Sequence, residues 1–168
     1  MAGDAINWLL SRHDPYPAIV LDRHWRVVNL NKCSTLLLSG ANIGVGDSLL
    51  AMSEDVEMFK SLVENWQQVA HHMIHRLRTE AQYWGDDAFL NDSANKLERN
   101  YGRGSMAVNN FSDPIIPTIY RMGEIRLSLF STLSQFSTAE DIALADLKIE
   151  HMFPADEETR NFLTSMVG

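Results

Sequence analysis

Three closely spaced histidines are the side chains best suited to chemistry, because neutral imidazoles are ligands for zinc, nickel and copper. His71 and His75 lie one helical turn apart, and His72 lies between them. No carboxylate or thiol stands nearby in the sequence to complete a coordination shell. At about 100° per residue, all three rings fall on the polar side of the predicted helix. Solvated histidines are the better interpretation, and we predict no metal site.

The other candidates for cofactor binding lack the motifs that such sites require. Cys33 does not lie in the NCRFLQ-like motif of flavin light sensors, so we expect it to be a small buried hydrophobe. Neither His24 nor His151 has a second haem-ligand motif to support it. We expect His24 in an exposed turn and His151 in a strand, where its ring can point into the core. No motif of a catalytic nucleophile is present either, so we predict a protein that is not an enzyme and holds no cofactor.

Length and composition favour a single soluble domain. The chain has 168 residues, of which 45% are apolar, and this is enough to bury a core without disulfides. Its single cysteine cannot form an internal disulfide. No apolar run approaches the roughly 18 residues of a membrane span, and the N-terminus lacks a basic, cleavable signal. We therefore expect a cytoplasmic protein without membrane contact.

The charge balance opposes direct binding to nucleic acid. The sequence has 14 Lys and Arg residues against 22 Asp and Glu residues, which gives a net charge of −8. Binding to DNA depends on clustered basic side chains that neutralise phosphates. The nearest approach to such a cluster is Arg76 with Arg78. The chain alone is therefore predicted to be a poor DNA binder.

The first forty residues predict a helix, a hairpin and a second helix. Residues 4–13 carry a short apolar stripe at helical spacing. Two β-branched runs within residues 18–30 flank a polar turn at residues 22–24, which indicates a β-hairpin. Asn31 can then cap a helix over residues 32–38.

The middle of the chain has the strongest helical signal. Apolar residues recur at steps of three and four from about residue 55 to residue 83, which predicts one long helix. A further helix is expected over residues 89–101. Two glycines and two prolines within residues 102–117 then indicate a loop.

From residue 118 onwards the period of the apolar residues changes to two, as in a β-strand. Residues 122–124 are a plausible hairpin turn before one long strand. A last strand ending at Pro154 and a closing helix over residues 157–167 complete the pattern. This order predicts an α+β fold, a five-stranded antiparallel sheet with helices on one face. Such a sheet leaves room under its helices for a small ligand.

Motifs at both ends of the chain resemble one protein family. Residues 15–28, PYPAIVLDRHWRVV, closely resemble the PYPA-x-V-L-D-R-x-W-x-V opening of the ligand-binding domain of MmyB-like transcription regulators. LFSTL, FSTAED, LKIE and FPAD, between residues 129 and 156, resemble the FFSTV…FGTPxDV…ELxIExFFPAD ending of that family. HRLRTE at residues 75–80 is similar to its ARLRxE helix. Ser137 and Ala139 stand where the family typically has Gly and Pro.

The resemblance implies a PAS-like ligand-binding domain over residues 15–168, preceded by a helix and linker at residues 1–14. It also implies a regulatory, non-catalytic role, in which the domain senses a small apolar molecule and reports to an Xre-type helix-turn-helix. Fatty acids are the candidate ligand class. In the family the helix-turn-helix precedes this domain, whereas only about fourteen residues precede it here. We therefore expect contact with DNA only through a helix-turn-helix that is absent from this chain.

An acyl chain in the predicted cavity would lie between the long helix and the long strand. The side chains expected to face it are Trp66, Met73 and Leu77 from the helix and Leu127, Leu129 and Leu133 from the strand. Arg76 or Arg126 can meet the carboxylate at the mouth of the cavity, because arginine binds carboxylates bidentately.

Two functions remain open on the sequence alone. One is the ligand sensor, and the other is a ligand-free PAS-like module for dimerisation or protein interaction, with a fully packed core. A cavity on the order of several hundred Å³ would distinguish them. A homodimer is expected for the sensor, through residues 4–13 or through the outer sheet face with Phe130 and Phe136.

Overall fold

A computed structural model describes residues 2–102, 116–136 and 142–168 of the protein. It confirms the predicted α+β class, with one five-stranded sheet in the order β2-β1-β5-β4-β3. The strands are β1 (Ala18–Leu21), β2 (Val27–Leu30), β3 (Thr118–Met122), β4 (Ile125–Gln135) and β5 (Lys148–Pro154). β1 pairs antiparallel with β2 and β5, and β5 pairs antiparallel with β4, as expected for the predicted PAS-like sheet.

The helices are α1 (Ala2–His13), α2 (Lys32–Ser39), α3 (Val56–Leu62), α4 (Trp66–Tyr83), α5 (Ala88–Tyr101), α6 (Ile142–Ala145) and α7 (Glu157–Val167). A 3-10 helix spans Leu49–Ser53. The chain forms two compact units: the first comprises Met1–Met52 and Leu127–Gly168, and the second comprises Ser53–Arg126. The division predicted between residues 14 and 15 stays a prediction.

In the first unit, both faces of strand β1 are buried, which explains its unbroken apolar run. Ala18 and Val20 point to one face, where they pack with Ile149 against Ile6 and Leu10 of helix α1. We call this the α1 face of the sheet. Helix α1 docks there because Ile6 and Leu10 are one turn apart and form its apolar stripe.

The opposite face, here called the α2 face, carries a second apolar cluster. Ile19, Leu21 and Val27 pack there with Ile43. The partly buried side chains around this cluster come from two strands, from α2 and from the 3-10 helix, and they are Leu30, Leu38, Leu49, Met52 and Met152. Helices α1 and α2 therefore cover opposite faces of the β1 part of the sheet, and not the single face that the sequence predicted, because both faces of β1 are apolar.

Asn31 caps helix α2 as predicted, and its side chain also reaches other elements of the first unit. Its Oδ1 accepts hydrogen bonds from the backbone N–H of Ser34 (3.0 Å) and of Ala18 (3.1 Å). Its Nδ2 donates to the carbonyl oxygens of Tyr16 (2.8 Å) and Leu10 (3.3 Å). One buried amide thus joins the end of α1, the following linker, β1 and α2.

In the second unit, the prediction of one continuous helix over residues 55–83 is wrong. Helix α3 ends at Leu62 and α4 begins at Trp66. Between them, Val63 is extended and bridges Tyr120, and the N–H of Glu64 donates to the carbonyl of Ile119 (2.8 Å). Pairing with β3 interrupts the helix, and neither hydrophobic periodicity nor a local breaker residue signals such a non-local contact.

Helices α4 and α5 form an antiparallel hairpin in the second unit. Their buried faces are built from small and branched apolar residues: Val69, Ala70, Ile74, Leu77, Ala81, Leu90, Ala94 and Leu97. Gly85 and Asp86 both have positive φ in the turn between the helices. Arg78 then links the two helices through Glu98 (2.9 Å) and Asn95 (2.8 Å).

Of the segment predicted as a loop, residues 102 and 116–117 are non-helical and residues 103–115 lie outside the described chain. The FSTAED motif also lies mostly outside it, since residues 137–141 are not described. The predicted turn before β4 is confirmed, with Gly123 at φ +63°. The closing helix begins and ends where predicted, and the Asp156 side chain caps it by accepting from the N–H of Thr159.

Candidate functional site

The strand residues predicted to contact a ligand lie on the α2 face of the first unit. Leu133 pairs directly with Glu150, which in turn pairs with Ile19 of the α2-face cluster. Leu127 and Leu129 share this face because they alternate with Leu133 along β4. Leu127 and Leu129 are 2% and 4% exposed, whereas Leu133 is 46% exposed. Their contact with a ligand stays a prediction.

Two charged residues on the same face were missed by sequence reasoning. Lys148 and Glu150 alternate with Ile149 on β5, and they are only 3% and 8% exposed. Alternation of polar and apolar residues is typical of a strand with one solvated face, but both faces of β5 are covered here. A charge in the interior needs compensating interactions, and the Lys148 ammonium lies 4.8 Å from the centre of the Trp25 ring.

Trp25 is held in an unusual backbone conformation beside this lysine. Its φ is +63°, in the left-handed region that bulky residues rarely adopt. The surrounding turn fixes it, since the Trp25 N–H donates to the Asp22 carbonyl (3.1 Å) and its own carbonyl accepts from the N–H of Leu49 (2.9 Å). The Asp22 side chain accepts from the N–H groups of His24 and Arg26, both at 2.9 Å. The DRHWR sequence therefore encodes a hydrogen-bonded turn that places an indole on the α2 face.

The helix residues predicted to contact a ligand belong to the second unit. Leu77 is fully buried, whereas Trp66 and Met73 pack, partly buried, against a cluster of Phe59, Val63 and Val69. The Trp66 ring lies 6.1 Å from the Tyr101 ring, and the Lys60 ammonium lies 4.4 Å from its centre. Trp66 and Met73 thus lie in one aromatic-rich cluster, and their contact with a ligand stays a prediction.

Both candidate arginines already contact protein carboxylates. Arg76 Nε lies 3.3 Å from Glu80, one turn along α4, and both side chains are largely buried. Arg126 Nε lies 2.8 Å from Glu64, which Arg121 also contacts at 3.0 Å. The hydrogen bonds of Arg121 and then of Arg126 lower the pKa of Glu64. Because a guanidinium has five donors, either arginine can hold a second carboxylate while keeping the first.

All six histidines of the sequence are exposed or half-buried. On α4, His72 and His75 are exposed and His71 is half-buried, as expected for the polar side of that helix. Within residues 2–102, 116–136 and 142–168, no group of three or more His, Cys, Asp or Glu side chains could hold a metal ion. His151 is half-buried on the α1 face, and burial, followed by the nearby His13, lowers its pKa.

Cys33 is buried, as predicted from the sequence. Burial first, and the Asp14 carboxylate second, raise the pKa of its thiol to about 12. The Asp14 side chain accepts from the Cys33 N–H at 3.1 Å, which holds the carboxylate close by. The thiol is therefore protonated throughout the neutral range and is suited to packing rather than to redox chemistry.

This burial predicts that Cys33 reacts slowly with thiol reagents. At about pH 8, a pKa of about 12 leaves about a thousand-fold less thiolate than in an unperturbed cysteine. Labelling with Ellman's reagent should be at least about a hundred-fold slower in the native protein than in urea. Equal labelling rates in the two conditions would show that the thiol is open to solvent.

The described helices include none that is both long enough and apolar enough to cross a membrane.

Comparison with known proteins agrees with the motifs at the two ends of the chain. No curated protein matches it in sequence. Among solved structures, the PAS domain of Bordetella pertussis BvgS matches with a TM-score of 0.43 and 11% identity, over 98% of this chain and 93% of that chain. The sequence profile of the MmyB-like transcription regulator ligand binding domain matches residues 2–166. Because this match covers nearly the whole chain, the chain belongs to the family of MmyB-like transcription regulator ligand binding domains.

Proposed function

We propose that this domain binds a small apolar molecule of the fatty-acid class and thereby controls a DNA-binding helix-turn-helix. The observation that carries the proposal is the family match over residues 2–166, since the family consists of ligand-binding domains of regulators and not of enzymes. The net charge of −8 supports contact with DNA through another domain rather than through this one. A regulator of this kind acts in the cytoplasm, where the DNA of a bacterium lies.

Apolar side chains in each unit support an acyl chain as the ligand. In the first unit, Leu127 and Leu129 share the α2 face with the cluster around Ile19 and Leu21. In the second unit, Trp66 and Met73 are only partly buried within their aromatic-rich cluster. Methionine and aromatic side chains adapt well to a flexible, irregular ligand. In the first unit these positions together with Leu133, and in the second unit these positions together with Leu77, are the proposed contacts of an acyl chain.

A carboxylate at the end of the acyl chain would bind Arg76 or Arg126. The Arg126–Glu64 pair is largely exposed, so its net stabilisation is small and sharing the guanidinium costs little. The Arg76–Glu80 pair is more shielded from water, so a carboxylate bound to Arg76 would feel a stronger field. The ligand would regulate by favouring one of two conformations, and its effect would be limited by its difference in affinity for them.

Mass spectrometry of the purified protein tests this proposal directly. Under native conditions we expect a stoichiometric additional mass, which is lost on denaturation and recovered from an organic extract as a fatty acid or similar lipid. A protein without such a ligand should bind one when it is titrated with saturated fatty acids of increasing length. A clean mass together with no binding in the titration would contradict the proposal.

Arginine variants test the carboxylate contact with a matched control. Arg76→Met or Arg126→Met should weaken binding of a fatty acid by at least about ten-fold, because a charge-assisted hydrogen bond contributes about 1.5–3 kcal/mol. Neither variant should change binding of the corresponding methyl ester. Arg160→Met is the control, since Arg160 also pairs with a carboxylate, Glu157, on the exposed surface of α7. Equal losses in all three variants would point to a general effect of charge.

One exposed side chain favours the second candidate function, a ligand-free dimerisation module. Trp8 on α1 is 58% exposed, with the Arg12 guanidinium 5.5 Å from its ring centre. Phe130 and Phe136, the other predicted dimer contacts, are partly buried on the α1 face, where Phe130 stacks on Phe153 at 5.4 Å. We propose that a second copy of the chain covers Trp8 through α1. Light scattering across protein concentration should then show a dimer that Trp8→Ala weakens, and a monomer at all concentrations would contradict this.

A further inference from the structure

The end of helix α1 is attached to the sheet through a histidine. The Nε2 of His13 lies 2.7 Å from the carbonyl oxygen of Met152 on β5. Because a carbonyl oxygen can only accept, Nε2 must carry the proton and donate it. The His13 ring is also enclosed by edge-on aromatic neighbours, with centroid distances of 5.0 Å to Phe153 and 6.1 Å to Tyr16. His13 therefore joins the C-terminal end of α1 to β5, beyond the apolar contacts of Ile6 and Leu10.

A second imidazole lies directly against the first. The ring centroids of His13 and His151 are 5.0 Å apart, with the planes at 74°. His151 is half-buried on β5, where its neighbours across the strands are Ala18 on β1 and Thr132 on β4, neither of which can neutralise a charge. Two protonated rings at this distance would repel each other in a partly desolvated site.

The charged groups that flank His13 in the sequence contact residues other than the two imidazoles. On α1, the Arg12 guanidinium lies over the Trp8 ring, and just beyond α1 the Asp14 side chain accepts from the N–H of Cys33. In the described part of the chain, neither imidazole pairs with a carboxylate. Protonation of the pair is therefore not compensated while α1 is docked.

We propose that His13 and His151 form an acid-sensitive latch, which releases the C-terminal end of α1 from the sheet when both rings are protonated. The site disfavours the proton because burial and the proximity of His13 both lower the pKa of His151. On release, the pKa of His151 returns to its ordinary value of about 6.5, so this ring binds a proton more tightly than in the docked state. Docking of α1 therefore has its full stability above about pH 6.5. It weakens as the pH falls from about 6.5 towards the lowered pKa of His151 in the docked state. For each extra proton taken up on release, the released fraction grows by up to about ten-fold per pH unit.

Hydrogen exchange of the full chain, measured by mass spectrometry, tests the latch. Protection factors, which correct for the intrinsic effect of pH on exchange, are compared at about pH 7.5 and about pH 5.0. In the wild type, protection of the α1 peptides should fall at least about ten-fold at the lower pH, while the α4 and α5 peptides keep theirs. Unchanged protection of α1, or an equal loss throughout the chain, would overturn the proposal.

Two variants and a control assign the effect to this pair. His151→Phe keeps an aromatic ring without a titratable proton, and His13→Gln keeps a donor for the Met152 carbonyl. Each should make the protection of α1 nearly independent of pH in this range. His75→Phe, on the exposed side of α4, should behave as the wild type. If both latch variants retain the pH dependence of the wild type, the proposal is wrong. If His151→Phe fails to fold, the pH dependence of α1 protection in His13→Gln alone tests the proposal.

Discussion

Replacing Asn31 with alanine is expected to lower the free energy of unfolding by at least about 4 kcal/mol, since four backbone groups lose a hydrogen bond and each such group costs about 1–3 kcal/mol when it is buried. The Asn31 side chain is buried and makes four hydrogen bonds to the backbone. Alanine leaves the N–H groups of Ala18 and Ser34 without an acceptor, and the carbonyls of Leu10 and Tyr16 without a donor. Urea denaturation followed by circular dichroism measures the change.

A second asparagine in the same unit provides the control. Asn29 donates from its side chain to Asn7 at 2.8 Å in an exposed pair, and its Oδ1 accepts from the N–H of Leu30 at 2.8 Å. Because it makes two bonds instead of four and is less buried than Asn31, Asn29→Ala should change the free energy of unfolding by no more than about 1.5 kcal/mol. Asn31→Ser, which keeps the helix cap but not the bonds to Leu10 and Tyr16, should lie between the two. Similar losses for Asn31→Ala and Asn29→Ala would show that the buried network contributes little.

Local signals predicted those elements whose hydrogen bonds are themselves local. Asn31 and the polar turn at residues 22–24 were identified because a cap and a tight turn are formed by residues close in sequence. The closing helix was predicted at its observed bounds, since an N-terminal Asp and an apolar stripe define it. The α+β class followed from the change of period at residue 118.

Features that depend on distant partners could not be predicted in this way. Helix α3 ends because Val63 pairs with Tyr120, more than fifty residues away, and residues 63–65 contain no glycine or proline to signal the break. Lys148 and Glu150 follow the alternation of a strand with one solvated face, yet both are buried. What covers the second face of a strand is a property of the fold and not of the strand sequence.

The candidate site shows the same division between what is local and what is not. A period of two correctly placed Leu127, Leu129 and Leu133 on one face of β4, but it did not predict that only the first two are buried. The sequence LDRHWRV resembles a family motif, whereas its physical role is visible only in the fold. It builds the turn that places Trp25 on the α2 face.

Truncation of Trp25 to alanine should destabilise the protein by about 3–5 kcal/mol, the usual cost of removing a buried aromatic side chain. The indole is almost completely buried, and the Lys148 ammonium lies over it at 4.8 Å. Removing the ring also takes the cation–π partner from a buried lysine, which contributes about 2 kcal/mol when both groups are desolvated. Urea denaturation measures the change, and Tyr83→Ala at the exposed end of α4 is the control, with an expected loss below about 1 kcal/mol.

Glycine at position 25 separates the contribution of the side chain from that of the backbone. At most positions glycine is less stable than alanine by about 0.5–1 kcal/mol, because it loses more conformational entropy on folding. At φ +63° the order should be reversed, since a left-handed conformation costs alanine about 1 kcal/mol and costs glycine almost nothing. Trp25→Gly should therefore be as stable as Trp25→Ala or more stable. If alanine proved clearly more stable, the backbone at this turn would have to leave the left-handed region once the indole was removed. Burial of the ring beside Lys148, and not the turn alone, would then hold Trp25 in its conformation.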